Sequence, residues 1–233
     1  MDKRARRSLI RRIKMLLVVV GILAFLVASA YAHSERPDAK SVLRQEMHTW
    51  WTSYAFWIRE YIVASIAGNE ETATIRERLL RNPEDFGFAV AQFYGIESSN
   101  KFADLFQAHA LIAFEVVEAA KSGNKAKWAA ADEKWHENGA DIVAFLNKLN
   151  PRYWPKECLS DIWNQHLSLM MDEITARLQK NWKDDISAFD KDFGHILGLA
   201  ECFADGIIKQ FSSKFHSASS KDHQRFLTKT VRI

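Results

Sequence analysis

The 233-residue chain is poor in the residues that cross-link or interrupt a polypeptide: two cysteines, four prolines and nine glycines. Two thiols, Cys158 and Cys202, cannot build a disulfide framework or a four-cysteine metal site. A bridge between them would tie the start of one late helix to the middle of the next. Two separate thiols in a helical core fit the spacing equally well. No run of alternating β-branched residues stands out, so strands are not supported. Also missing are a glycine-rich phosphate loop, Gly-x-Ser-x-Gly, His-Glu-x-x-His and Cys-x-x-Cys. The best-marked nucleotide, hydrolase, metalloprotease and thiol-redox chemistries are therefore unsupported.

Net charge is scarce too. The whole chain is +3, but residues 1–32 hold seven basic side chains against one acid. Residues 33–233 keep 25 basic and 28 acidic groups, net −3. No concentrated basic face remains, so no nucleic-acid partner is expected.

What is present begins at the N-terminus. Lys3, Arg4, Arg6, Arg7, Arg11, Arg12 and Lys14 precede an apolar run from Met15 to Val27, which passes into Ala28-Ser-Ala-Tyr-Ala32. Basic, apolar and small-residue segments in that order form a secretory signal peptide. Eighteen residues from Met15 to Ala32 are also just enough to cross a bilayer at ~1.5 Å per residue, so a retained N-terminal membrane anchor fits as well. Arg6-Arg7-Ser8-Leu9-Ile10-Arg11 loosely follows the twin-arginine pattern. By the positive-inside rule the basic residues stay cytoplasmic, residues 10–32 meet the membrane, and the rest lies on the periplasmic or extracellular side. The chain divides into a signal peptide or anchor (1–32), a linker (33–40), a helical bundle (41–215) and a flexible, serine-rich tail (216–233).

The bundle is written in apolar residues recurring at three- and four-residue steps. Leu43, Met47, Trp50, Trp51, Tyr54, Trp57, Ile58, Tyr61 and Ile62 mark the first helix, and Gly68 suits its left-handed end. Pro83 restarts the chain after a short helix. Phe102, Phe106, His109, Ala113 and Val117 mark another stripe, as do Trp128, Trp135, Asn138, Ile142 and Leu149. Leu159, Trp163, His166, Met170 and Ile174 mark a third, and the last helix runs to about Phe215. These predict an all-α, up-and-down bundle of about six helices. Tyr54 to Asn69, His109 to Asn124 and His166 to Asn181 all span fifteen residues. In each, a polar ring lies on the apolar stripe and an asparagine at the turn, as three helical hairpins would give.

Two constellations carry chemistry. His109 and His166 sit on apolar faces at equivalent depths, so with Tyr54 they are candidates for a transition-metal or small-ligand site in the core. Two interior histidines that each hydrogen-bond a neighbour and pack as core would give the same pattern. Glu133-Lys-Trp-His136 and Asp192-Phe-Gly-His195 place an acid and a histidine on one helix face, as in di-metal carboxylate bundles. That alternative needs further inward acids, for which Glu60, Glu115 and Glu118 are the candidates. Asp184-Asp185 and Glu70-Glu71 read as solvated acids at helix starts. Eight tryptophans read mainly as core filling, with Trp50, Trp51 and Trp57 also placed for a membrane-interface belt.

Leu79-Leu-Arg-Asn-Pro-Glu-Asp-Phe86, Phe93-Tyr-Gly95, Asn150-Pro151 and Gly206-Ile-Ile-Lys-Gln-Phe211 resemble a family of small uncharacterised bacterial helical proteins over most of residues 44–211. The resemblance implies a helical bundle with histidines at His109 and His166. In that family the first helix also carries a histidine, where this chain has Tyr54. The resemblance implies no particular activity. The expectation from sequence is a non-catalytic cell-envelope binding or interaction module, possible as a homo-oligomer, with metal or ligand binding through His109 and His166 as the alternative.

Overall fold

A computed structural model describes residues 38–216. The leader, most of the linker and the tail beyond His216 lie outside the described residues, and the signal-peptide and anchor expectations fall there. Among the described residues no helix is long and apolar enough to cross a membrane.

Eight helices and no strand occur among the described residues. Five are long: α1 (Ala39–Ala67), α4 (Ile96–Lys121), α5 (Lys125–Leu149), α6 (Lys156–Leu178) and α7 (Trp182–Gln210). Three are short: α2 (Thr72–Leu79), α3 (Asn82–Tyr94) and α8 (Ser212–His216). The count exceeds the expected six partly because the last helix breaks at Phe211, whose backbone (φ −107°, ψ 34°) leaves the helical region. α4, α5, α6 and α7 each pack on the next, α7 packs on α1, and α1 reaches α4 and α6. Short connections make sequential long helices antiparallel, so α4 and α6 run in the same direction.

The turns after α1, α4 and α6 are built alike. Gly68 (φ 74°), Gly123 (φ 67°) and Lys180 (φ 57°) occupy the left-handed region. Their backbone N–H groups donate to the carbonyls of Ser65 (3.1 Å), Ala120 (3.1 Å) and Arg177 (3.1 Å). Asn69 and Asn181 close the outer bond of a Schellman motif on Ala64 (3.0 Å) and Ala176 (2.9 Å). Asn124 and Asn181 then cap the helices that follow, accepting from Lys127 (3.0 Å) and Asp184 (3.4 Å). Tyr54, His109 and His166 each stand fourteen residues before the left-handed position, about 21 Å along the helix. Equal turns and equal counts put the three rings in one layer.

The core is aromatic: Trp51, Trp135, Trp154, Phe102, Phe106 and Phe114 are almost fully buried. Trp50 and Trp57 are only partly buried, and Trp182 is 53% exposed. Cys158 is exposed and Cys202 half-buried, each a free thiol. The connection between α5 and α6 docks on α7 through polar bonds. Asn150 Nδ2 donates to the Gly206 carbonyl (3.0 Å) and Trp154 Nε1 to the Cys202 carbonyl (3.1 Å).

Trp154 lies so close that a Cβ on Gly206 would meet its indole nitrogen at 2.0 Å, whereas one on Gly194 of the same helix meets nothing within 4 Å. Gly206→Ala is expected to lower unfolding free energy by about 1–3 kcal/mol through overpacking. Gly194→Ala should raise it by about 0.5–1 kcal/mol through helix propensity. Urea denaturation of both variants checks the pair.

Candidate functional site

The structure brings Tyr54, His109 and His166 together from α1, α4 and α6. All three are buried, at 3%, 1% and 1% exposure. The imidazole centres of His109 and His166 lie 6.0 Å apart, and Tyr54 lies 6.3 Å from His166. Trp163 packs against both histidines at 5.4 and 6.1 Å, and Trp135 stacks on His109 at 5.5 Å.

Hydrogen bonds fix what the rings can offer. Asn138 Nδ2 donates to the Leu105 carbonyl (3.1 Å), which can only accept, so the amide orientation is set. Asn138 Oδ1 therefore faces His109 Nδ1 at 2.8 Å and accepts from it. The proton of neutral His109 sits on Nδ1, and Nε2 presents a bare lone pair. That nitrogen is buried and has no hydrogen-bond partner among the described residues. Burial, then the neighbouring His166, depresses the imidazole to about 3, so it stays neutral at physiological pH. His166 is held in the same sense: its Nδ1 donates to Asp192 Oδ1 at 2.9 Å. A carboxylate or amide behind Nδ1 is the arrangement that orients a histidine to ligate through Nε2. The Tyr54 hydroxyl is likewise buried without a partner among the described residues, and burial together with the charge of Asp192 holds it well above the usual phenol range.

Sequence reasoning placed Asn138 on a stripe and Asp192 in a different constellation, but paired neither with these histidines. Their partners lie 29 and 26 residues away on the adjacent helix of a hairpin. A polar residue on an apolar stripe was the available signal.

The di-metal alternative is not assembled. Glu133 and His136 are exposed, and His136 Nδ1 contacts the Asp132 carbonyl on its own helix (3.0 Å). His195 Nε2 donates to the Ile162 carbonyl (2.8 Å) while Asp192 accepts from His166, so each is taken up by a separate bond to α6. Of the further acids, Glu115 pairs with Lys134 and Glu118 with Lys121, both in partly solvated positions. Among the described residues no three His, Cys, Asp or Glu side chains gather round one point.

A charged layer adjoins the site. Arg59 of α1 binds Glu173 of α6 (2.8 Å) and Asp185 of α7, which also receives Arg177 (2.9 Å). Asp185 is 1% exposed, which corrects its expected role as a solvated acid at a helix start. Of its two arginine partners, Arg59 lies 126 residues away, beyond any local pattern. Asp192, also buried, bonds His166 and has no arginine or lysine partner among the described residues.

Burial pushes the Glu173 carboxyl up to about 7, against the pull of Arg59 and with added repulsion from Asp192 and Asp185. A raised carboxyl contributes stability that is full below its unfolded value of about 4.5 and is lost as pH rises through 7. Relative to Glu173→Gln, wild-type protein should therefore lose stability between pH 5 and 7.5, by up to about 1.4 kcal/mol per pH unit. Urea melts of both proteins across that window measure the difference, and a pH-independent gap would refute the assignment. No family model matches the chain, and neither the curated proteins nor the solved structures give a match, so the functional reading rests on the geometry above.

Proposed function

We propose that this is a non-catalytic binding protein of the cell envelope, exported or membrane-anchored through its leader, whose bundle takes up a transition-metal ion between His109 and His166 with Tyr54 beside them. One observation supports this most: His109 Nε2, a lone pair fixed in place by the Leu105–Asn138–His109 chain, is buried at 1% exposure with nothing to accept from among the described residues. A buried polar atom left dry costs about 1–3 kcal/mol, so a bundle that retains one has reason to satisfy it otherwise. Neutral imidazoles held at Nδ1 are the usual form of a metal-binding histidine. The depth of the rings, at 3% exposure or less, favours binding over catalysis. The like turns after α1, α4 and α6 support descent of the three hairpins from one unit, with Tyr54 as the divergent copy.

A second reading, an interaction bundle without metal, draws support from the surface. Trp182 (53%) and Ile186 (56%) expose large apolar side chains one turn apart on α7, as a face for a protein partner or a second copy would.

Metal per chain in the full-length protein, measured by mass spectrometry after purification from the export compartment, separates the two. Near-stoichiometric metal that vanishes in His109→Ala/His166→Ala and persists in His136→Ala/His195→Ala is the expected result. No metal in wild-type protein, even after incubation with transition-metal salts, would leave the interaction bundle.

A further inference from the structure

We propose that the outer face of α7 near its N-terminus joins a second copy of this chain in a two-fold dimer, with the two α7 helices antiparallel across Ile186. The proposal develops the interaction reading above and is independent of the metal.

The face carries a fixed anchor. Trp182 and Ile186 are exposed one turn apart, and the half-buried Phe189 and Phe193 continue the strip at steps of three and four residues. The Arg177 guanidinium lies 5.0 Å from the Trp182 ring centre and is itself held by Asp185 (2.9 Å). A large aromatic side chain already held in place loses little freedom when it is covered, and such residues dominate interface energetics.

The charges beside the anchor select the occupant. Lys183 and Asp190 are exposed, and neither makes a hydrogen bond or ion pair among the described residues. Helical spacing sets them about 60° and about 40° round from Ile186, on the same flank of it. Along the axis Lys183 lies about 4.5 Å before Ile186 and Asp190 about 6 Å after it. A two-fold axis through Ile186 and perpendicular to α7 exchanges the two positions between copies. Each Lys183 then meets the partner's Asp190 to within about 1.5 Å along the helix, with the apolar strips crossing at the centre. A parallel pairing would set lysine on lysine and aspartate on aspartate, which opposes association. An apolar centre with one charge of each sign at matched distances is thus complementary to its own copy.

The dimer also has a direction. Arg44, near the start of α1, pairs with Glu201 and Asp205 near the end of α7, so Ala39 stands far from this face. Antiparallel α7 helices send the two Ala39 ends apart. That arrangement is open to chains freed of the leader and closed to two copies anchored side by side in one membrane.

Sedimentation velocity of the full-length protein, purified from the export compartment, reads the association. The expected result is a monomer–dimer equilibrium in the micromolar range, as a contact of a few helical turns gives. Lys183→Glu and Asp190→Lys should each weaken it about tenfold or more, with unchanged circular dichroism because both positions are exposed. An equimolar mixture of the two variants should recover the wild-type affinity, since both facing pairs in the mixed dimer are again opposite in sign. Wild-type protein that stays monomeric, single variants that associate as wild type does, or a mixture that fails to recover would each overturn the proposal. A photo-crosslinking side chain in place of Ser187, exposed beside the face, separates this failure from failure of the interaction reading. A covalent pair of this chain is expected. Adducts to other envelope proteins alone would overturn the second copy and leave the interaction bundle, whereas no adduct at all would overturn both.

Discussion

A polar ring is buried in an apolar bundle at low cost only where its polar atoms find partners, and this fold supplies each buried histidine of the layer with one at Nδ1. The Leu105 carbonyl orients the Asn138 amide, Asn138 takes the proton of His109, and the opposite nitrogen is left bare. The chain of bonds runs between neighbouring helices, α4 and α5, so it also pins their register. Asp192 does the same for α6 and α7 through His166. Both hairpins are thus tied at the same depth by the bonds that prepare their histidines. Everything proposed for the site depends on that coincidence of packing and tautomer.

Packing around the pair is correspondingly tight. A Cβ on Gly139 would stand 2.5 Å from Trp163, so α5 approaches α6 closely enough for the indole to lie against it. Trp163 is held by that contact while touching both imidazoles. On the far side of the layer, Arg59 crosses from α1 to the acids of α6 and α7. Near the other end of the same seam, Arg44 pairs with Glu201 and Asp205, while His48 reaches Glu201. These exposed pairs add little stability singly. The buried ones matter through the unpaired charge that removing a partner would leave.

Much of the fold was legible because its punctuation is local. Gly68, Pro83, Asn124 and Asn181 mark helix ends by their own backbone or side-chain chemistry, and the intervening stripes repeat at helical spacing. The convergence of Tyr54, His109 and His166 was legible too, since equal counts from like turns set equal depths. The partners were not. Asp192 was set beside His195 by an i, i+3 rule that describes a helix surface, whereas its true neighbour, His166, stands on another helix. Asp185 looked like a solvated acid at a helix start because Arg59, which makes burial tolerable, lies far back in the chain. Which face of a helix a polar residue joins depends on what another helix brings to it, and composition along one segment cannot carry that.

The depth of the histidine layer has a kinetic meaning. At 1% exposure neither imidazole meets solvent unless helices part, so entry and exit depend on local opening of the bundle. The rate of exchange is then set by the stability of the hairpins and only secondarily by bond strength at the ion. A ligand seated during folding would be retained through the life of the molecule, and one offered afterwards would wait for the bundle to breathe.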